Sequence, residues 1–457
     1  MFFGRSSELG KLDEMYNSNR FEFAVIYGRR RVGKTTLIRE FIKDKNAMFY
    51  AASESTAQDN LLFLSRCIAG KNSAPVFTDY ENALSAVFEK AETERFVFVI
   101  DEFPYLAAAY RGISSLLQIM IDHNRENSKL MLILCGSSMS FMESQVLGYQ
   151  SPLYGRRTAQ FKILPFSYFD SLPFLQGFSK EDQALLYGVA GGIPEYLSKI
   201  YSHKSVKENV IELFLTPSGH FFEEPSNLIK QELREPSTYN GIIEAIARGA
   251  SRLSEISTKS HAESNKCGKY LTSLIALGLV KKELPVTETA GKKSIYLLED
   301  QMFRFWYRFV FPNMSAIVAG LGERVYVAEV EPQLSAYMGL VFEEICKQWM
   351  LEQMKQDALP FFSGKLGRWW GNNPRLKRQE EIDILAYREN QALLGECKWT
   401  NSLVDINVFD DLREQSKLFS YEECWFYIFA KRGFTARLKQ AAEQDERVKL
   451  VAFEEML

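Results

Sequence analysis

Cysteine and histidine are scarce in this chain of 457 residues: six cysteines occur without a C-x-x-C pair, and the four histidines stand at no metal-ligand spacing from one another. Neither a disulfide scaffold nor a structural zinc site is expected. Long hydrophobic runs are missing as well. FVFVI at 96–100 and LMLILC at 130–135 are of strand length, well short of the roughly 18–20 residues that cross a bilayer. Arg5 and Glu8 interrupt the opening MFFGRSSELG, so no apolar leader is read there, and the expected location is cytoplasmic with no membrane partner. A surplus of one charge is also absent. Lys plus Arg number 55 against 58 Asp plus Glu, a formal net charge of −3, so any nucleic-acid contact must come from local patches.

What is present is an ordinary globular mixture, 46% apolar and 25% charged, in a chain too long for one hydrophobic core. Up to about residue 165, β-rich runs alternate with helical patterns: EFAVIY at 22–27, AMFYA at 47–51, FVFVI at 96–100, LMLILC at 130–135 and AQFKIL at 159–164. That alternation predicts a parallel sheet flanked by helices, followed by a helical lid, together spanning 1–235. Residues 236–300 read as three helices and a β-hairpin, the pattern of a winged helix. The aromatic-rich 301–335 reads as a packing segment. From 336 to 457 a helix, strands EIDILAY and ALLGECKW, a further helix and strand CWFYIFA form a third α/β unit. The expected fold class is thus α/β and multidomain.

Gly28-Arg29-Arg30-Arg31-Val32-Gly33-Lys34-Thr35, followed by Thr36, fits G-x-x-x-x-G-K-[ST] and lies between strand EFAVIY and helix KTTLIREF, where a phosphate-binding loop must lie. Glycines let backbone N–H groups close around phosphate oxygens, and the helix N-terminus adds its positive end. Lys34 is expected to reach the β- and γ-phosphates of ATP and Thr35 to bind Mg²⁺. FVFVIDEF delivers Asp101 and Glu102 to the carboxyl end of a buried strand; Asp101 is expected to hold Mg²⁺ and Glu102 to polarise the attacking water. LMLILC runs into Gly136-Ser137-Ser138, which offers a hydroxyl, and Tyr154-Gly155-Arg156-Arg157 offers an arginine to the γ-phosphate.

MFFGRSSELGKL, GRRRVGKTT, FVIDEF, LCGSS, PLYGRRT and GGIPEYL, in that order, resemble the archaeal-type ATPase family, a branch of the AAA+-related signal-transduction ATPases, over about the first 235 residues. The resemblance implies a switch that hydrolyses ATP. It also implies Arg5 in the adenine-side box, Ser137 as sensor, Pro194 near the base, and Arg156 as the charge-stabilising arginine, with Arg157 beside it as the alternative.

Residues 252–293 carry eight basic side chains against four acids. Lys266 and Lys269 lie at the start of the third helix and Lys292 and Lys293 on the wing, positions from which DNA could be met. In the C-terminal unit, a two-residue loop at Glu389-Asn390 sets Asp383 opposite Glu396, and like charges so placed repel unless a cation joins them. Mg²⁺ suits such a pair. Lys398 points to the same side as Glu396, and Glu343 on the preceding helix can add a third acid. Lys365, Arg368, Arg375, Lys377 and Arg378, with Trp369 and Trp370 among them, form a basic, aromatic approach. With the Gln415-bearing helix, Asp383, Glu396, Lys398 and Glu343 resemble the PD-(D/E)xK restriction-endonuclease-like superfamily over about 336–440, although Ile382 stands where a proline is usual. That resemblance implies a metal-dependent nuclease domain acting on DNA in defence, repair or mobile-element biology. The other reading is an ATP-gated regulatory or scaffolding switch that binds DNA or protein without cutting. A homo-oligomer is compatible with either.

Overall fold

The computed structural model describes residues 2–70, 77–291 and 293–456. The chain divides into two compact units: one runs to Phe166 and includes Ile193–Glu195, and the other comprises Ser167–Gly192 and the chain from Tyr196 onward. The sequence pattern places the whole of 1–235 in one domain. In the fold, the helices after Phe166 instead group with the C-terminal half.

In the first unit β1 (Glu22–Tyr27), β2 (Ala47–Ala51), β3 (Phe96–Asp101), β4 (Leu130–Gly136) and β5 (Ala159–Lys162) form a sheet of order β2-β3-β4-β1-β5, every pairing parallel. Successive side chains of a strand face opposite ways. Phe23, Val25, Phe98, Ile100, Leu132 and Leu134 therefore pack into one apolar layer, while Ala24, Ile26, Val97, Val99, Met131 and Ile133 pack into the other. Strands covered on both faces need continuous apolar runs, and β1, β3 and β4 are buried at every position. Because the strands are parallel, Gly28, Asp101 and Gly136 all emerge at the carboxyl edge.

In the second unit, helices Pro236–Ala247, Leu253–Ser260 and Ser264–Ala276 precede an antiparallel pair, β6 (Val280–Glu283) and β7 (Ile295–Leu298). Lys292 lies outside the described residues. Phe303, Phe305, Trp306, Tyr307 and Phe309 are buried, with Trp306 Nε1 donating to Phe222 O at 2.8 Å and the Tyr307 hydroxyl to Asn240 Oδ1 at 2.7 Å. These aromatics are core, and the polar tips of Trp306 and Tyr307 both have partners.

Helix Glu331–Lys355 begins inside the segment read as a packing element. Its buried Met338, Val341, Phe342, Ile345, Cys346 and Met350 recur at helical spacing. Gly188, on helix Lys180–Ala190, lets the two helices approach: a Cβ there would lie 2.7 Å from Met338 Sδ, and the Tyr337 hydroxyl donates to Gly188 O at 2.7 Å. Phe342 meets Trp399 with ring centroids 5.1 Å apart, fixing the helix over a mixed five-stranded sheet. That sheet has the order β12-β11-β10-β9-β8, from β8 (Leu366–Asn373), β9 (Arg378–Arg388), β10 (Gln391–Lys398), β11 (Glu423–Ala430) and β12 (Val448–Ala452). β8, β9 and β10 pair antiparallel, and β10, β11 and β12 pair parallel.

β8 corrects the reading of 365–378 as an open basic approach. Glycine and asparagine dilute its pattern, and a register shift between Gly367 and Trp369 breaks the alternation. On its other side, Val286 of the β6–β7 connection donates its N–H to Arg368 O at 2.9 Å, and Trp370 Nε1 donates to Lys293 O at 3.1 Å. The connection thus covers a sheet edge that would otherwise be exposed.

Candidate functional site

The nucleotide loop is shaped by close approach. A Cβ on Gly28 would lie 2.3 Å from Ile163 O, so only glycine lets the chain leave β1 here. Arg31 and Gly33 take left-handed φ values of 70° and 91°, and a Cβ on Gly33 would come to 3.7 Å from Pro194 Cγ. Helix Lys34–Ile42 then starts, carrying Thr35 and Thr36 in its first turn. Lys34 is buried, and its ammonium donates to Gly28 O at 2.9 Å and Arg29 O at 2.7 Å, closing the loop on itself; burial lowers its pKa. Thr35 Oγ1 donates to Asp101 Oδ2 at 2.8 Å, and the Glu102 N–H to Asp101 Oδ1 at 3.0 Å.

Glu102 is itself left-handed, with φ 51°, at the junction of β3 and helix Phe103–Ala109. A non-glycine residue held there stores strain of the kind that gathers at functional sites. Its Oε2 accepts from Ser137 Oγ at 2.9 Å. Four expected residues, Thr35, Asp101, Glu102 and Ser137, are therefore joined in two hydrogen-bonded pairs. Arg5 donates to Val32 O at 3.3 Å and to Leu164 O, and its guanidinium lies 4.5 Å from the Phe166 ring centroid. Arg30 donates to the Tyr105 hydroxyl at 3.1 Å. Arg156 is engaged elsewhere: it grips Asp122 through two bonds of 2.8 and 2.6 Å. Arg157 lies within electrostatic reach of Tyr27, the residue before Gly28.

The C-terminal carboxylates meet through the hairpin register. Pairing runs from Gln391↔Arg388 to Gly395↔Ile384, and one further step sets Glu396 across from Asp383, whose Oδ2 accepts the Cys397 N–H at 2.9 Å. Lys398 Nζ lies 2.5 Å from Glu396 Oε1. Glu343 joins from helix Glu331–Lys355, with Arg368 Nε 3.5 Å from its Oε2, while Arg368 Nη2 pairs with Glu381. Burial, then repulsion from Asp383, pushes Glu343 up to about 8 and Glu396 up to about 7; burial also raises Asp383. Burial alone would lower Lys398, but Glu396 and Asp383 pull it above its ordinary value. The sequence does not single out Glu381 as a site residue, though it stands two positions from Asp383 on the same strand and so on the same face.

Among the described residues no group of three or more His, Cys, Asp or Glu is arranged to hold a metal ion as it stands. The carboxylates of Asp383, Glu396 and Glu343 are oxygen donors of the type a hard cation takes, and two of them are engaged by Arg368 and Lys398.

The remaining basic candidates are exposed or paired. Lys266 pairs with Glu263 at 3.1 Å, Lys293 with Glu288 at 2.6 Å and Arg378 with Glu380 at 2.8 Å. Lys269, Arg375 and Lys377 are exposed. Gln415 Nε2 donates to Glu380 Oε2 at 3.1 Å and to Glu381 O at 3.2 Å, tying its helix to β9.

The raised carboxyls give stability without metal a definite pH sign. Glu343 and Glu396 rise from an ordinary 4.5, so between that value and about 7 to 8 the folded chain binds more protons than the unfolded one. Their contribution is complete below pH 4.5 and is lost as pH rises through the folded values. In EDTA, the melting temperature of wild type relative to Asp383→Asn should fall from about pH 5 to 8 and level off above. A difference that grows with pH would contradict the burial of these groups.

Residues 2–200 match the family described as an ATPase domain predominantly from Archaea, and residues 306–410 match a second family described as archaeal and bacterial proteins of unknown function. The uncharacterised protein MJECL04 of Methanocaldococcus jannaschii is 36% identical over 448 residues, covering 94% of this chain and 96% of that protein. The chain belongs to this family of archaeal-type ATPase-domain proteins. An uncharacterised ATP-binding protein of the same organism, MJ0423, is 47% identical over 45 residues, which are 10% of this chain and 76% of that one. Among solved structures, the Walker-type ATPase PABY2304 of Pyrococcus abyssi shares the fold with a TM-score of 0.52 at 20% identity, over 67% of this chain and 96% of that one. Among the described residues no helix is long and apolar enough to cross a membrane.

Proposed function

We propose that the chain binds and hydrolyses ATP at the Gly28–Thr36 loop and couples that reaction to a DNA-directed, metal-dependent nuclease site at Asp383, Glu396 and Lys398, in the cytoplasm. The convergence of Thr35, Asp101, Glu102 and Ser137 at one edge of a parallel sheet carries the first half. Lys34 and the loop N–H groups would receive the β- and γ-phosphates, Thr35 and Asp101 would hold the accompanying Mg²⁺, and Glu102 would orient the attacking water. Arg5 and Pro194 border the loop on the side assigned to the base. Arg157 is the better placed of the two adjacent arginines within one chain, because Arg156 must release Asp122 to act.

For the second half, Asp383 and Glu396, with Glu343, would hold Mg²⁺. The cation would supply acidity to a bound water and offset charge on a phosphodiester. Lys398 pairs with Glu396, opposing the rise that burial imposes on that carboxyl, and would stand beside the place of attack. Residues 236–300 are read as a winged helix whose exposed Lys269 and Lys266 meet phosphates, and Arg375, Lys377 and Arg378, around the β8–β9 turn, are read as further phosphate contacts. If so, DNA affinity should fall steeply with salt, and neutralising Lys266 or Lys269 should lower the log–log slope by about 1 for each phosphate no longer neutralised. An unchanged slope would assign those lysines to a solvated face.

The engagement of Glu343 and Glu396 by internal cations favours one second reading, an ATP-gated switch that binds without cutting. Incubating the purified chain with single-stranded, duplex and branched DNA, Mg²⁺ or Mn²⁺, with and without ATP, separates the two. Cleavage that needs metal supports the nuclease, and binding without cleavage under every condition supports the switch.

A further inference from the structure

Arg368 sits at the centre of the C-terminal charge cluster, and its place is fixed from several directions. It stands at the register shift of β8, between Gly367 and Trp369, which both pair with β9, and its own carbonyl accepts the Val286 N–H at 2.9 Å. Neighbouring Trp370 is anchored to the Lys293 carbonyl at 3.1 Å. The side chain is largely buried, 16% exposed, and projects its guanidinium at two acids from different elements: Glu343 of helix Glu331–Lys355, 3.5 Å from Nε, and Glu381 of β9, paired with Nη2. Glu283 and Asp383 act on it electrostatically as well. A buried arginine among four carboxylates is not a surface ion pair of small consequence, because the low dielectric magnifies each interaction.

We propose that Arg368 is the positioning residue that sets divalent-cation affinity at the carboxylate site: its guanidinium occupies Glu343 in the metal-free chain and must yield that carboxylate before a cation is bound by Asp383, Glu396 and Glu343. This rests on the reading of those three acids as a cation site. The guanidinium and the cation compete for one side chain, Glu343. Arg368 also accounts for an acidic side chain such as Glu343 being tolerated between β8, β9 and the helix when no metal is present, since an uncompensated buried carboxylate there would be strongly disfavoured. Because Gly367 and Trp369 pair with β9 on either side of it and its carbonyl is held by Val286, exchange of partners falls on the side chain alone. Released from Glu343, the guanidinium would keep Glu381, which is half exposed, and so remain beside the carboxylates.

The test is calorimetric titration of the full chain with MnCl2 in the absence of nucleotide and DNA, with Asp383→Asn as the chain lacking the site. Arg368→Gln should bind Mn²⁺ roughly tenfold more tightly than wild type at the Asp383-dependent site, because a competing cation is removed. Arg368→Lys keeps the charge but loses the fork, and should show a smaller tightening of the same sign. Melting in EDTA checks that each variant is folded; if Arg368→Gln is not, the lysine variant decides. Unchanged or weaker Mn²⁺ binding in the folded variants overturns the proposal. If neither wild type nor variants show Asp383-dependent binding, the proposal falls together with the cation site itself. Tightened binding without DNA cleavage by any variant upholds the role of Arg368 and removes only the nuclease reading.

Discussion

Glu102→Gln should keep ATP binding and lose turnover by about 10²–10⁴-fold, the range a positioned general base supplies, whereas Lys34→Ala should lose binding itself. The two residues act on different parts of the substrate. Lys34 is the only lysine in the loop, and its ammonium is held against the loop carbonyls of Gly28 and Arg29, where phosphate oxygens would replace carbonyl oxygens as acceptors. The Glu102 carboxylate is bonded to Ser137 instead. Glutamine preserves that bond, since its carbonyl oxygen still accepts from the hydroxyl, but it cannot take a proton from water. Binding measured with a fluorescent nucleotide, beside steady-state phosphate release, separates the two effects. Normal turnover in Glu102→Gln would remove the carboxylate from the chemistry and leave it a strained turn residue that holds Ser137.

The parts of this architecture readable from sequence are those set by near neighbours in the chain. β1, β3 and β4 announce themselves as apolar runs because both faces are covered, and the loop from Gly28 to Lys34 is spelled out in consecutive residues. The hairpin register follows from the two-residue turn at Glu389-Asn390, which places Asp383 across from Glu396. The features that escape such a reading are those settled by packing between distant segments. Arg156 looks like a free arginine on a loop, yet its donors meet Asp122 from 34 residues earlier. β8 has too much glycine and asparagine to read as a strand, and exists because β9 pairs with it on one side and the β6–β7 connection covers it on the other. The partnership of Arg368 with Glu343 and Glu381 depends on a helix and two strands arriving together. Local charge counting marks Arg368 and Lys293 as donors to DNA, whereas their charges are taken up by Glu343, Glu381 and Glu288.

At the C-terminal site, Asp383→Asn should make the metal-free chain more stable while abolishing both the metal-dependent gain and cleavage. Asp383 is the principal charged neighbour that raises Glu343 and Glu396, so its negative charge is a cost borne by the fold when no cation is present. Asparagine keeps an oxygen that can accept the Cys397 N–H and discards the charge, so the melting temperature in EDTA should rise by a few degrees. Wild type, by contrast, should gain stability with Mg²⁺ or Mn²⁺ through preferential binding to the folded state, and the variant should not. Lys398→Met should behave in the opposite manner. With its ammonium gone, the buried Glu396 carboxyl loses the cation that opposes its rise and must stand unpaired or take up a proton, so this variant should melt lower in EDTA and recover more on adding Mn²⁺, yet fail to cleave DNA. Opposite stability shifts from two neutralisations in one site are the mark of an arrangement held under electrostatic strain for chemistry. If both variants melt lower in EDTA, and cleavage by either persists, the cluster is an ordinary network of ion pairs that holds helix Glu331–Lys355 to its sheet.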